Sequence, residues 1–117
     1  MARQHNTQSN RGERMAAKVQ TICAEILRDR YADDAILSGV SLVGSTASGG
    51  TQFVRLFYHA RGGRSDAVQS RLDEVTRTIR YELAARMNQK YVPEIRFAYD
   101  DTLERAAHIE DLLNNLK

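Results

Sequence analysis

The residues best suited to chemistry in this chain are arginines, and they are concentrated between residues 55 and 96. That segment carries nine cations and five acids, and eight of the nine cations are arginine. A guanidinium group binds phosphate through paired hydrogen bonds and stacks on flat rings, so a polyanion would be its natural partner. Arginine is also a good helix former, and an ordinary solvated helix face is the alternative. Charge alone leaves both interpretations open.

Residues suited to catalysis or metal binding are isolated along the chain. His5, His59 and His108 lack a second histidine or cysteine at ligand spacing, so we predict no metal site. The adjacent Asp100 and Asp101 could exchange protons with a substrate, but they stand directly before a helical pattern, which favours a capping role. No P-loop, Ser-His-Asp order or Cys-His pair is present. The sequence therefore predicts no enzyme, no catalytic residue and no cofactor.

The length of 117 residues, with 42% hydrophobic residues, predicts one ordinary globular domain. The first ten residues are polar and aperiodic, so we expect a disordered tail over 1–10 and a single domain over 11–117. No run of about 18 apolar residues is present to span a bilayer, and the N-terminal residues lack the apolar centre of a secretory signal. The single cysteine, Cys23, excludes an internal disulfide and suits a reducing compartment. We expect a cytoplasmic protein.

Apolar residues near the N-terminus follow the period of an α-helix, which we predict from about Arg11 to Arg30. The members of that stripe are Met15, Val19, Ile22, Ile26 and Leu27. Cys23 flanks the stripe, which indicates a packed core residue and not a nucleophile. Arg14 and Lys18 fall well to one side of the stripe, where they would face solvent.

Two strands joined by a turn are predicted next. Residues 36–45 are apolar and partly β-branched, residues 45–50 (STASGG) are typical of a turn, and residues 51–59 alternate. The face of the second strand expected to be buried comprises Val54, Leu56 and Tyr58. Phe53 and Phe57 lie on its other face, where we favour packing against a loop or the last helix over stacking on a base.

A long apolar stripe then predicts helix between residues 66 and 88, with Ser65 as a good N-cap. The stripe comprises Val68, Leu72, Val75, Ile79, Leu83 and Met87. Because β-branched residues cluster between Val75 and Ile79 and weaken a helix locally, we predict two helices joined at a kink. One uninterrupted helix is the alternative.

The only proline, Pro93, ends this helical pattern because it lacks the N–H that a helix interior needs. Residues 95–99 then alternate as a third strand. Asp100 or Asp101 is expected to cap a last helix, with Glu104 placed for a capping box. The apolar face of that helix comprises Leu103, Ala106, Ile109, Leu112, Leu113 and Leu116.

The predicted order is α-β-β-α-α-β with an additional C-terminal helix. This order indicates an α+β fold, and we predict a type II KH-like two-layer sandwich. A ferredoxin-like arrangement competes with it, but that arrangement needs a fourth strand where residues 66–88 have a helical pattern. A KH module grips a single-stranded nucleic-acid backbone at a turn between two helices.

Several motifs match one known family. An Ile79-Arg80 pair lies in a predicted helix, the run PEIRFAYD follows at 93–100, and VRLFY stands at 54–58. With these motifs and the closing amphipathic helix, the chain resembles the bacterial ribosome-binding factor A family over most of residues 11–116. The resemblance implies a non-enzymatic factor that binds the precursor small ribosomal subunit and its rRNA. Such a factor assists late maturation, including processing of the 5′ end of 16S rRNA, and then leaves.

The resemblance also implies where RNA would bind. The family's KH module kinks at an Ala-x-Gly sequence, and Val75, Thr76 and Arg77 stand at those positions here. Further cations are predicted from their position and charge to contact the RNA backbone, and such contacts do not depend on the RNA sequence. The predicted RNA-binding residues are Arg11, Arg14, Lys18, Arg61, Arg64, Thr76, Arg77 and Arg80. The alternative for the arginines is solvated surface or pairing with acids of the same chain.

We expect a monomer whose partners are the small ribosomal subunit and its rRNA, with no membrane and no small-molecule substrate. The competing hypothesis is a protein-interaction or oligomerising module without RNA binding. The amphipathic last helix and the open sheet favour that alternative, because either surface could join a neighbouring protein.

Overall fold

Segments whose apolar residues recur every 3.6 residues fold into three helices, and segments whose apolar residues alternate fold into three strands. The structure is a computed structural model that describes residues 6–116, with side chains from residue 11 onward. The elements in chain order are α1 (Asn6–Arg30), a 3₁₀ turn (Leu37–Gly39), β1 (Val40–Ser48), β2 (Phe53–Ala60), α2 (Asp66–Met87), β3 (Glu94–Tyr99) and α3 (Thr102–Asn115).

The three strands form one mixed sheet in the order β1-β2-β3. β1 pairs antiparallel with β2, and β2 pairs parallel with β3 through the crossover that α2 supplies. α1 packs on β1, α2 packs on β3, and the two helices also contact each other. The predicted α+β fold with two layers is confirmed. The ferredoxin-like alternative is not, because the segment where it needs a strand is α2.

Alternation along β2 divides its side chains between the core and the opposite face of the sheet. Val54, Leu56 and Tyr58 are buried, as the alternation predicted. They meet the apolar stripes of α1 and α2 and the buried Ile95 and Phe97 of β3. The predicted core position of Cys23 is also confirmed, since this residue is fully buried within the cluster.

The predicted division of residues 66–88 into two helices is wrong, because α2 runs without interruption from Asp66 to Met87. The β-branched Val75 and Ile79 both face the core, where burial offsets their weaker helix propensity. Thr76 stays helical by donating its hydroxyl to the Leu72 carbonyl at 2.7 Å. The observed order is therefore α-β-β-α-β-α.

Several element ends differ from the sequence prediction, and β1 continues to Ser48, into the turn predicted over 45–50. α2 ends at the left-handed Asn88 (φ 53°), several residues before Pro93, so a loop separates the helix from β3. At the other end of the chain, the helix begins at Asn6 and not near Arg11. Residues 1–5 lie outside the described residues, so the disordered tail and the single domain over 11–117 stay predictions.

Asp34 fixes the entry to β1 and ties it to α2. Its Oδ1 accepts the backbone N–H groups of Ile36 and Leu37, both at 2.9 Å, which replaces the predicted start of the strand by the 3₁₀ turn. Its Oδ2 accepts Arg71 Nε at 3.0 Å and a second guanidinium nitrogen at 2.7 Å. The Leu37 N–H and the Arg71 guanidinium together hold the pKa of the Asp34 carboxyl below its usual value of 3.8.

Acidification should therefore weaken the fold through Asp34. Because the folded state favours ionised Asp34, its contribution to the free energy of unfolding is full above a pH of about 4 and is lost as pH falls through the lowered pKa. Urea unfolding across acid pH should show a smaller pH dependence in Asp34→Asn than in the unmodified chain. Asp33→Asn is the control, because the Asp33 side chain forms no hydrogen bond within the described residues. Equal pH dependence in all three proteins would contradict this role.

The C-terminal helix forms as predicted, but its apolar face is not packed on the domain. Every described residue of α3 is exposed, including Leu103 and Leu116. Asp100 Oδ1 accepts the backbone N–H and hydroxyl of Thr102 at the start of the helix, so that aspartate has a structural role. Glu104 accepts the Tyr99 hydroxyl and does not close a capping box. No described helix is long and apolar enough to cross a membrane.

Candidate nucleic-acid interface

Several arginines are paired with carboxylates of the same chain, which offset part of their charge toward a ligand. Arg86 lies 3.1 Å from Asp29 and 3.4 Å from Glu82, and Arg30 reaches the same Glu82 at 3.0 Å. These contacts join the C-terminal ends of α1 and α2. Arg71 is likewise engaged, by Asp34. The intramolecular pairing that the sequence left open is thus the role of these three arginines.

Arg80 is held by the loop between α2 and β3. Its Nε donates to the Pro93 carbonyl and one terminal nitrogen donates to the Val92 carbonyl, both at 3.0 Å. Its other terminal nitrogen lies 3.8 Å from Glu94. The side chain keeps 40% of its surface exposed. Arg80 therefore fixes the loop and also presents a partly exposed charge.

A groove runs between the solvent side of α2 and the loop that follows it. We call this feature the α2–β3 groove; it has a volume of about 670 Å³. Its lining residues are Asp73, Thr76, Arg77, Arg80, Tyr81, Ala84, Lys90, Tyr91, Val92 and Glu94. Three predicted RNA-binding residues, Thr76, Arg77 and Arg80, thus lie together. Arg77 is exposed and has no carboxylate within 4.0 Å among the described residues.

Three other lining residues are suited to contact a nucleic acid but were not predicted from the sequence. Tyr81 and Tyr91 each expose 80% of their surface, which is unusual for so large an aromatic side chain. Lys90 Nζ lies 5.6 Å from the centre of the Tyr91 ring, within the range of a cation–π contact. Tyr81 stands four residues after Arg77 and so on the same side of α2, which the sequence could have indicated. Lys90 and Tyr91 reach the groove only through the loop after Asn88.

The other five predicted residues do not line the groove. Arg11, Arg14 and Lys18 are exposed on α1, the helix that packs over the opposite edge of the sheet. Arg61 follows β2, where its backbone N–H donates to Gly39 at 2.9 Å. Arg64 lies 5.9 Å from the centre of the Tyr99 ring. None of these five cations lines the groove, and their contact with RNA stays a prediction.

The electrostatics of the groove favour an anionic ligand with flat groups. Arg77, Arg80 and Lys90 outnumber the two acids that line it, Asp73 and Glu94. Asp73 accepts the Gln69 side-chain amide at 3.1 Å, which engages one of its oxygens. Among the described residues, no three His, Cys, Asp or Glu side chains are placed to share a metal ion. The groove therefore combines cations that suit phosphate with exposed rings that suit planar groups.

The amino-acid sequence and the fold of this chain both match those of one known family. The sequence profile of ribosome-binding factor A matches residues 11–113. Ribosome-binding factor A of Limosilactobacillus fermentum is 32% identical over 109 residues, covering 91% of this chain and 90% of the relative. That of Limosilactobacillus reuteri is 34% identical over 109 residues, covering 91% of each.

Solved structures show the same fold. The crystal structure of ribosome-binding factor A from Thermus thermophilus superposes with a TM-score of 0.63 at 17% identity, over 75% of this chain and 94% of that one. A homology model of the Thermus thermophilus factor, fitted into a cryo-EM map of its complex with the 30S subunit, gives a TM-score of 0.64 at 16% identity, with 76% of this chain and 94% of that one covered. With a profile match along most of its length and relatives above 30% identity, the chain belongs to the ribosome-binding factor A family.

Proposed function

We propose that this protein is a non-enzymatic assembly factor of the small ribosomal subunit that binds precursor rRNA through the α2–β3 groove. It assists late maturation, including processing of the 5′ end of 16S rRNA, and leaves the finished particle. The observation that supports this function best is the convergence of Arg77, Arg80 and Lys90 with two exposed tyrosines in one groove. Family membership and the 30S complex of the Thermus thermophilus factor support the choice of partner.

The chemistry of the groove suits an RNA strand with unpaired bases. Guanidinium and ammonium groups neutralise phosphates, and this attraction is the main source of affinity for nucleic acids. Tyr81 and Tyr91 provide flat faces on which unpaired bases stack, whereas bases within a duplex are already stacked on one another. We therefore propose that the groove takes a single-stranded or locally opened segment of rRNA, as a monomeric cytoplasmic protein would encounter it on a precursor subunit.

Sedimentation of a cell lysate through a sucrose gradient tests the proposed partner. The protein should migrate with free small subunits, be absent from translating ribosomes, and be released by a moderate rise in salt because phosphate contacts are screened. Primer extension on cells that lack the protein should then show 16S rRNA with unprocessed 5′ ends. Migration with polysomes, or at the top of the gradient even at low salt, would contradict the proposal.

A protein-interaction or oligomerising module without RNA binding is the second candidate function. The exposed leucines of α3 favour it, because an amphipathic helix with no partner in its own domain can pair with a second copy of the chain. Gel filtration with light scattering distinguishes the candidates. A stable dimer that ignores rRNA would support the module, whereas a monomer that binds rRNA would support the assembly factor.

A further inference from the structure

The face of the sheet opposite the helices carries a second set of cationic and aromatic residues. Along β2, Phe53, Arg55 and Phe57 alternate with the buried core residues and so point away from α1 and α2. Phe53 exposes 49% of its surface and Arg55 is also exposed. No described helix packs on this face, which is separate from most of the α2–β3 groove.

Two arginines stand side by side at the middle of this face. Arg55 of β2 lies directly opposite Arg96 of β3 in the parallel register. Like charges at directly opposed positions of a sheet destabilise it. Neither guanidinium has a carboxylate within 4.0 Å among the described residues, so neither charge is engaged in an ion pair within that part of the chain. An anion bound between them would be attracted by both charges.

The surroundings of the arginine pair leave room for a planar group. Phe53 and Phe57 lie two residues to either side of Arg55 on the same strand. Ser48 and Glu94 flank Phe53, and Gly44 and Ala98 flank Phe57. The resulting trough, which we call the sheet trough, has a volume of about 550 Å³. Its lining residues are Thr46, Ser48, Phe53, Val54, Arg55, Glu94 and Arg96. An exposed ring beside paired cations on an open sheet is a common arrangement for binding single-stranded RNA.

From these observations we infer a second RNA-binding surface on this protein, the sheet trough. Arg55 and Arg96 hold one or two phosphates of a single strand, and Phe53 stacks an adjacent base. Charge complementarity favours this occupant over the apolar face of α3, because leucines laid on the trough would bury two unpaired like charges. The surface goes beyond the proposed function, which rests on the α2–β3 groove alone.

The two surfaces meet at the edge of the sheet. Glu94, the first residue of β3, lines both the α2–β3 groove and the sheet trough. Its carboxylate lies 3.8 Å from Arg80, which partly offsets the negative charge at this border. One RNA strand that follows the groove can therefore continue around β3 onto the sheet.

Fluorescence anisotropy with a labelled uridine decamer and the full-length protein tests the inference. In Arg55→Gln/Arg96→Gln, affinity should depend less steeply on salt. The negative slope of log affinity against log salt should become shallower by about 1.4, or about 0.7 for each lost phosphate contact. In Phe53→Leu, affinity should fall roughly 5- to 10-fold with the slope unchanged, because only stacking is lost. Arg55→Lys/Arg96→Lys should have the same slope as the unmodified chain. Arg28→Gln, which removes one exposed cation from α1, controls for the loss of a charge outside the trough.

The same titration separates this inference from the proposed function through Arg77→Gln in the groove. If Arg77→Gln weakens binding while the sheet variants do not, the sheet trough is not an RNA site and the groove proposal stands. If the sheet variants weaken binding and Arg77→Gln does not, the inference stands and the groove proposal fails. If Phe53→Leu leaves RNA affinity unchanged but alters the oligomeric state, a second copy occupies the trough and the inference is wrong.

Discussion

Reversing the charges of Arg77 and Lys90 together should weaken binding to the small ribosomal subunit about 100-fold. Both cations line the α2–β3 groove, and neither forms an ion pair within the described part of the chain. A hydrogen bond to a charged group contributes roughly 1.5 kcal/mol or more, which is about tenfold in affinity, so two lost phosphate contacts account for the estimate. Sedimentation binding of Arg77→Glu/Lys90→Glu to purified precursor subunits at about 0.1 M salt measures it.

The matched control for this variant is Arg28→Glu/Arg105→Glu. It makes the same change in net charge at two exposed helical positions that do not line the groove. The control should retain most of the affinity, because distant surface charges are screened at this salt concentration. Equal loss in both variants would show that affinity depends on net charge and not on the groove.

Arg80→Glu should lower the free energy of unfolding by roughly 2 kcal/mol, whereas Arg77→Glu should change it by less than about 0.5 kcal/mol. The substitution at Arg80 removes the donors to the Val92 and Pro93 carbonyls and brings a carboxylate toward Glu94. Arg77 makes no such contact with the described residues. Urea unfolding followed by circular dichroism measures both values.

This contrast matters for interpreting binding data. A variant that changes Arg77 and Arg80 together would mix loss of an RNA contact with release of the loop that carries Lys90 and Tyr91. If Arg80→Glu proved as stable as Arg77→Glu, the hydrogen bonds to Val92 and Pro93 would not fix the loop. The Arg80 guanidinium would then be free to contact RNA.

The sequence predicted the fold because local periodicity and burial agree along most elements. The alternation of β2 and the stripe of α1 identified their buried faces, as the burial of Leu56 and Val19 shows. The division of α2 into two helices was mispredicted because helix propensity is local. Val75 and Ile79 gain more from core packing than they lose in side-chain freedom.

The candidate site was predictable only in part. Helical phase placed Arg77 on the solvent side of α2, but it could not show that Arg80 would be held by carbonyls of a loop more than ten residues away. The same loop brings Lys90 and Tyr91 to the groove, and its path depends on the left-handed Asn88. The like-charge pair of Arg55 and Arg96 depends on the register of β2 with β3, which alternation alone does not specify.

The last helix shows the limit of an amphipathic pattern. Leu112 and Leu113 belong to the apolar stripe that the sequence predicted for this helix, and the stripe is exposed in the structure. Periodicity indicates which face of a helix avoids water. It does not show whether the surface that covers that face belongs to the same chain, to a second copy or to another molecule.

Directed hydroxyl-radical cleavage of rRNA tests most directly whether the α2–β3 groove faces RNA. Burial raises the pKa of the Cys23 thiol to about 12, so an iron chelate will label an introduced surface cysteine selectively. Gln89→Cys places the chelate beside the groove, and Arg28→Cys places it on α1, which packs over the opposite edge of the sheet. On precursor small subunits, we expect strong cleavage of 16S rRNA from position 89 and weak cleavage from position 28. Cleavage from position 28 alone would contradict it.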